Sequence, residues 1–90
     1  MKDALKKLLQ DKLSRDILSF FYENPTSVDS VGGISAWVGE SRKKVLSSLE
    51  KLVELGVLSK DSEEGAKGYG YTRDEEIMEI IEELMQDAKA

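Results

Sequence analysis

The stretch Ile34 to Leu58, ISAWVGESRKKVLSSLEKLVELGVL, constrains the fold of this chain more than any other. Ser41 precedes a run with apolar residues at Val45, Leu49 and Leu52, and Gly56 follows it, so Ser41 reads as the N-cap of a helix that Gly56 closes. At 100° per residue, Val45, Leu46, Leu49, Leu52 and Val53 gather on one face of this helix, about Arg42 to Leu55. Lys43, Lys44, Ser47, Lys51 and Glu54 fall opposite. Ile34 and Val38 lie four apart on a shorter helix just upstream, and Gly39-Glu40-Ser41 leaves room only for a tight turn between the two. One face of this helix pair must build a core, and the other meets solvent or a partner.

The 90 residues amount to one domain with a modest core. The chain contains neither cysteine nor histidine, which removes thiol redox chemistry, zinc ligation and Ser-His or Cys-His catalysis. Carboxylates and lysines alone on such a scaffold make no catalytic constellation, so neither an enzyme nor a cofactor is expected. No apolar run approaches the roughly 20 residues that span a bilayer, and MKDALKKLLQ has no signal-peptide core, so the expected location is cytoplasmic, away from membranes. The net charge of -5 is divided unevenly. Residues 74 to 90 carry seven acids against Lys89 alone, whereas Ser41 to Leu49 holds Arg42, Lys43 and Lys44 and no acid. Charges further apart than about 8 Å are screened at physiological salt, so the sign of the local surface decides what it attracts.

From Asp3 to Glu23 the i+4 series Leu5, Leu9, Leu13, Ile17 and Phe21 predicts helix, either one or two meeting near Gln10 to Ser14. Pro25 disfavours helix at the residue before it and ends this segment. A second helix begins between Asp29 and Gly33, where Gly32-Gly33 lowers helix propensity, and runs to Val38. Val57 to Lys60 and Lys67 to Tyr71 read as short strands joined by a polar loop. Tyr69 and Tyr71 share one strand face and are expected in the core. Thr72 with Glu75 reads as a capping box for a last helix, about Arg73 to Asp87.

The helix pair resembles the winged helix-turn-helix domains of small prokaryotic repressors, such as the arsenical-resistance (ArsR) and multiple-antibiotic-resistance (MarR) regulator families. Ile34, Val38, Gly39, Ser41, Arg42, Val45, Leu49, Leu52, Gly56, Val57 and Leu58 match the pattern of those families, from which Glu40 and Leu46 depart. The resemblance implies a mainly α fold with a small β-hairpin wing: a three-helix core with N- and C-terminal flanking helices. Within the single domain 1-90 it assigns 3-23 to the N-terminal helix or helices and 29-38 to helix 2. It assigns 41-55 to the recognition helix, 57-72 to the wing and 73-87 to a C-terminal dimerisation helix.

The implied function is sequence-specific binding of duplex DNA by a homodimeric transcriptional regulator, its recognition helix in the major groove. Arg42, Lys43, Lys44 and Lys51 would meet phosphates, Ser47 and Ser48 are short enough for close approach, and Ser41 would aim the helix N-terminus at a phosphate. Lys60, Lys67 and Arg73 on the wing would reach flanking phosphates or a minor groove, although Glu63 and Glu64 at its tip repel the backbone. Leu5, Leu8 and Leu9 exceed what a three-helix core needs. They and the apolar side of the last helix, Ile77, Ile80, Ile81, Leu84 and Met85, are expected to meet a second copy. Basic residues of the first helix and acids of the last would attract across that interface. The alternative is a winged-helix module for protein contacts, to which the acidic total points. No effector ligand can be named from these residues.

Overall fold

The computed structural model describes residues 1–61 and 68–89. In chain order they form α1 (Lys2–Leu8), α2 (Lys12–Glu23), β1 (Val28–Asp29), α3 (Val31–Val38), α4 (Arg42–Glu54), β2 (Leu58–Asp61), β3 (Gly68–Tyr71) and α5 (Glu75–Lys89). The N-terminal segment is two helices because Asp11 interrupts it. The Asp11 carboxylate accepts from the Ser14 amide at 3.1 Å and the Ser14 hydroxyl at 2.8 Å, capping α2.

Helix α4 ends as its sequence predicts. Gly56 takes φ 81°, its amide donates to the Val53 carbonyl and the Val57 amide to the Leu52 carbonyl, the paired bonds of a Schellman turn. The chain then enters an antiparallel sheet of order β1-β3-β2, with Leu58 opposite Tyr71 and Lys60 opposite Tyr69. Strand β1 was not expected. It pairs Val28 with Gly70 and Asp29 with Tyr69, and two residues are too few to leave a periodic signature.

Helix α5 opens two residues later than the Thr72 capping box predicts. Thr72 is buried at the sheet end, its amide donating to the Val57 carbonyl, so its hydroxyl serves the Asp74 amide instead. Asp74 is the cap, accepting from the Glu76 and Ile77 amides at 2.9 and 3.2 Å.

One core joins the elements. Ile17, Leu18 and Phe21 of α2, Ile34 of α3, and Val45, Leu49 and Leu52 of α4 are buried with Val57, Leu58, Tyr69 and Tyr71 of the sheet. The same core takes in Leu5, Ile81, Leu84 and Met85, which corrects the expectation that a second copy covers them. Helices α1 and α5 pack within one chain, and the Lys2 ammonium meets the Glu83 carboxylate of that chain at 2.7 Å. One ion pair of the kind expected between copies thus forms inside one chain. Tyr22 adds a hydrogen bond from α2 to Glu82 of α5. Leu8, Leu9, Ile77 and Ile80 remain half-buried at the margin. The fold is mainly helical with a small three-stranded sheet, a winged helix-turn-helix with flanking helices.

Candidate nucleic-acid interface

The turn between α3 and α4 is fixed by three local features. Gly39 takes φ 74°, a left-handed conformation that costs a side-chain-bearing residue about 1–2 kcal/mol. Ser35 donates its hydroxyl to the Glu40 carbonyl, and the Ser41 hydroxyl accepts from the Lys44 amide at 3.3 Å. Together they set where α4 begins. Its first turn holds Arg42, Lys43 and Lys44, all exposed, and no acid.

The three cations are held differently. Arg42 lies over the first turn of α3: a Cβ added at Gly32 would stand 3.0 Å from its guanidinium. Gly32, which weakens the helix in sequence terms, leaves the space this side chain uses. Lys44 pairs with Glu40 at 3.6 Å, with 71% and 40% of the two side chains exposed. Such a pair contributes about 0–1 kcal/mol and leaves the ammonium open to exchange partners. Lys43 has no ion pair among the described residues.

The outward face of α4 changes along its length. Lys43, Ser47, Glu50 and Glu54 follow its outer line at steps of three or four residues, so along that line positive charge gives way to negative toward the C-terminus. Ser41 and Ser47 are exposed as expected. Ser48 is not: it is 6% exposed and turned toward Asp11, whose carboxylate its hydroxyl helps hold. Its position, three residues after Val45 and four before Leu52, puts it on the buried side despite its polarity. Leu46, grouped with the apolar face by sequence, is 38% exposed beside the cationic turn.

Lys51 also departs from the expected phosphate face. It lines a groove of about 440 Å³ with Lys7 and Leu8 of α1, Asp11 and Glu54, and its charge acts on Asp11. The Asp11 carboxyl is held below its ordinary range chiefly by the Ser14 hydroxyl, then by the Ser14 amide, Lys51 and Ser48. Lys60 is exposed on β2, while Lys67, with Glu63 and Glu64, lies outside the described residues.

Trp37, expected from its helical position to pack against the first helix or the wing, belongs to an anchoring arrangement behind this turn. Asp29 accepts from the Ser30 amide at 2.9 Å and from the Trp37 indole at 3.1 Å, and it sits so close to Gly33 that a Cβ there would come within 2.1 Å of its carboxylate. Ser30 caps α3 by accepting from the Gly33 amide. Trp37 is 42% exposed and stacks on Phe20 of α2 at 4.6 Å between ring centroids. β1, α2 and α3 are thereby tied together behind the turn that presents α4. The signal for it was the Gly32-Gly33 pair, which marks close approach as well as poor helix propensity.

No family model and no curated protein matches the chain. Among solved structures the chain is similar to a possible transcriptional regulator from Methanosarcina mazei Go1, with a TM-score of 0.68 and 20% sequence identity over 97% of this chain and 78% of that one. At that identity the likeness establishes a shared fold across nearly the whole of the present chain.

Proposed function

We propose that this protein is a transcriptional regulator that binds duplex DNA sequence-specifically, with the N-terminal half of α4 in the major groove, in the manner of the ArsR and MarR repressors it resembles. The observation that carries this reading is the first turn of α4. Three exposed cations and a capped helix N-terminus project from a turn fixed by Gly39, Ser35 and Ser41. In helix-turn-helix proteins that end of the helix meets base edges while cations meet phosphates. The description of the Methanosarcina mazei structure as a possible transcriptional regulator supports the same class.

In this reading Ser41, Arg42, Lys43, Lys44 and Ser47 form the principal contact, and Lys60 and Lys67 extend it along the wing. The regulator acts in the cytoplasm as a homodimer, with recognition helices about 34 Å apart on a pseudo-palindromic site. Because Leu5, Ile81, Leu84 and Met85 are occupied within one chain, the half-buried Leu8, Leu9, Ile77 and Ile80 are what the flanking helices offer a second copy.

The test is the anisotropy of a labelled duplex titrated at about 50 and 200 mM salt, where several phosphate contacts predict a loss of orders of magnitude in affinity. The Lys43→Glu/Lys44→Glu variant should lose binding at both concentrations. No binding by the native chain at the lower salt would overturn the proposal. One observation favours a second reading as a protein-interaction module: Glu50 and Glu54 occupy the outer line of α4, and Leu46 is exposed beside its cations. Under that reading the duplex titration stays flat, and Leu46→Ser abolishes capture of a protein partner.

A further inference from the structure

A second concentration of positive charge lies away from α4, on the outer side of the sheet. A groove of about 340 Å³ runs between the loop that enters β1 and strands β2 and β3. Thr26, Ser27, Ser59, Lys60, Gly70 and Arg73 are among its lining residues, and among the described residues no carboxylate is. In a chain with 18 acids and 13 bases this is uncommon. The groove at α1 and α4 includes Asp11 and Glu54, and two others include Asp87 or Asp11, Asp16 and Glu40.

Lys60 and Arg73 have no ion pair among the described residues, and the hydroxyls of Thr26, Ser27 and Ser59 have no hydrogen-bond partner there. Two cations that share one cavity without a carboxylate repel each other, and an anion seated between them removes the repulsion while collecting charge-assisted hydrogen bonds. Gly70 keeps the floor open. A Cβ there would meet the Ser27 carbonyl, Val28 and the Ser59 hydroxyl at 3.7 to 3.9 Å, ordinary contact that leaves any larger side chain only the groove to fill.

We propose that this groove is a phosphate-binding site in which Lys60 and Arg73 supply charge and Thr26, Ser27 and Ser59 supply hydroxyl donors. Arg73, with its planar fork of donors, fits two phosphate oxygens at once, and Lys60 acts as a point charge. The phosphate is that of a small phosphorylated molecule, a ligand separate from the DNA backbone already assigned to Lys60. The site does not depend on engagement of α4.

The experiment follows the amide resonances of Ser27, Ser59 and Gly70 in the isotopically labelled full chain during titration with inorganic pyrophosphate, with sodium chloride matched for ionic strength. Saturable shifts are expected with pyrophosphate and not with chloride. Lys60→Gln/Arg73→Gln should weaken them roughly tenfold or more, as loss of two charged contacts implies. Gly70→Val, which retains both charges and fills the floor, should remove them. Lys43→Glu should leave them unchanged, which separates this site from DNA binding through α4.

If pyrophosphate is inert but a short duplex shifts the same amides, and the double variant lowers the salt slope of duplex binding by about one, the groove is only the wing's contact with DNA and the proposal of a separate site falls. Amides that respond saturably to neither probe, or respond equally in the Lys60→Gln/Arg73→Gln and Gly70→Val variants, would overturn the proposal.

Discussion

Helices α4 and α5 are built on one plan and differ at the positive end of the dipole. Each is amphipathic, each buries one face in the common core, and each begins at a side-chain cap, Ser41 for α4 and Asp74 for α5. Helix α5 then places Glu75 and Glu76 in its first turn, where negative charge is favoured. Helix α4 places Arg42, Lys43 and Lys44 there, against that preference by about 0.3–1 kcal/mol for each charge. The last helix obeys the rule for a stable helix, and the helix after the tight turn breaks it. Local rules are broken where a partner makes up the loss, and an anion facing the first turn of α4 would do so.

The comparison predicts effects of different size and, in one case, opposite sign. The largest is in the shared core: Ile81→Ala should cost about 2–5 kcal/mol in urea unfolding because Ile81 is fully buried within its own chain. A loss under about 1 kcal/mol would remove Ile81 from that core.

Loss of a cap comes next. Asp74→Ala leaves the Glu76 and Ile77 amides without their acceptor and should cost about 1–2 kcal/mol, whereas Ser41→Ala, which frees one amide, should cost about 0.5–1. Equal losses in thermal unfolding would erase that distinction between the two helix starts. The change of sign is smaller. Lys43→Glu should raise stability by about 0.3–1 kcal/mol at low salt while it abolishes duplex binding, and a destabilised variant would show that Lys43 serves the fold.

The smallest effect is linked to pH. The Asp11 carboxyl, held below the ordinary 3.8 by Ser14 first, contributes stability that is complete above that value and is lost as pH falls through its lower folded value. Asp11→Asn lacks this contribution. The drop in its urea midpoint between pH 6 and pH 3 should therefore be shallower than that of the native chain.

The features legible in the sequence are those written into short-range repetition. Ser41, Gly56 and the series Val45, Leu49 and Leu52 mark α4 because caps and helical periods are local. Ser48 was misplaced because residue type was weighed above angular position, and Leu46 because it stands at the edge of the apolar arc, about 100° from Val45. Leu5 and Ile81 illustrate a different limit. Periodicity shows that an apolar face needs covering, but whether the cover comes from the same chain depends on how α1 folds back, a tertiary fact. Gly32 and Gly33 read as helix weakeners because the bulk that replaces their missing side chains, Arg42 and Asp29, comes from elsewhere in the chain. The pairing of Lys60 with Arg73 around one groove depends likewise on how β2 lies against the end of β3.

The space above Gly32 separates two properties that usually change together. A methyl group there would meet only the far end of a flexible arginine, and alanine favours helix over glycine by roughly 1 kcal/mol. Gly32→Ala therefore firms α3 while pushing the Arg42 guanidinium to a new resting place, with no charge gained or lost. Selection for stability alone would favour alanine at this position, so a glycine here preserves the aim of one side chain at the expense of the helix beneath it.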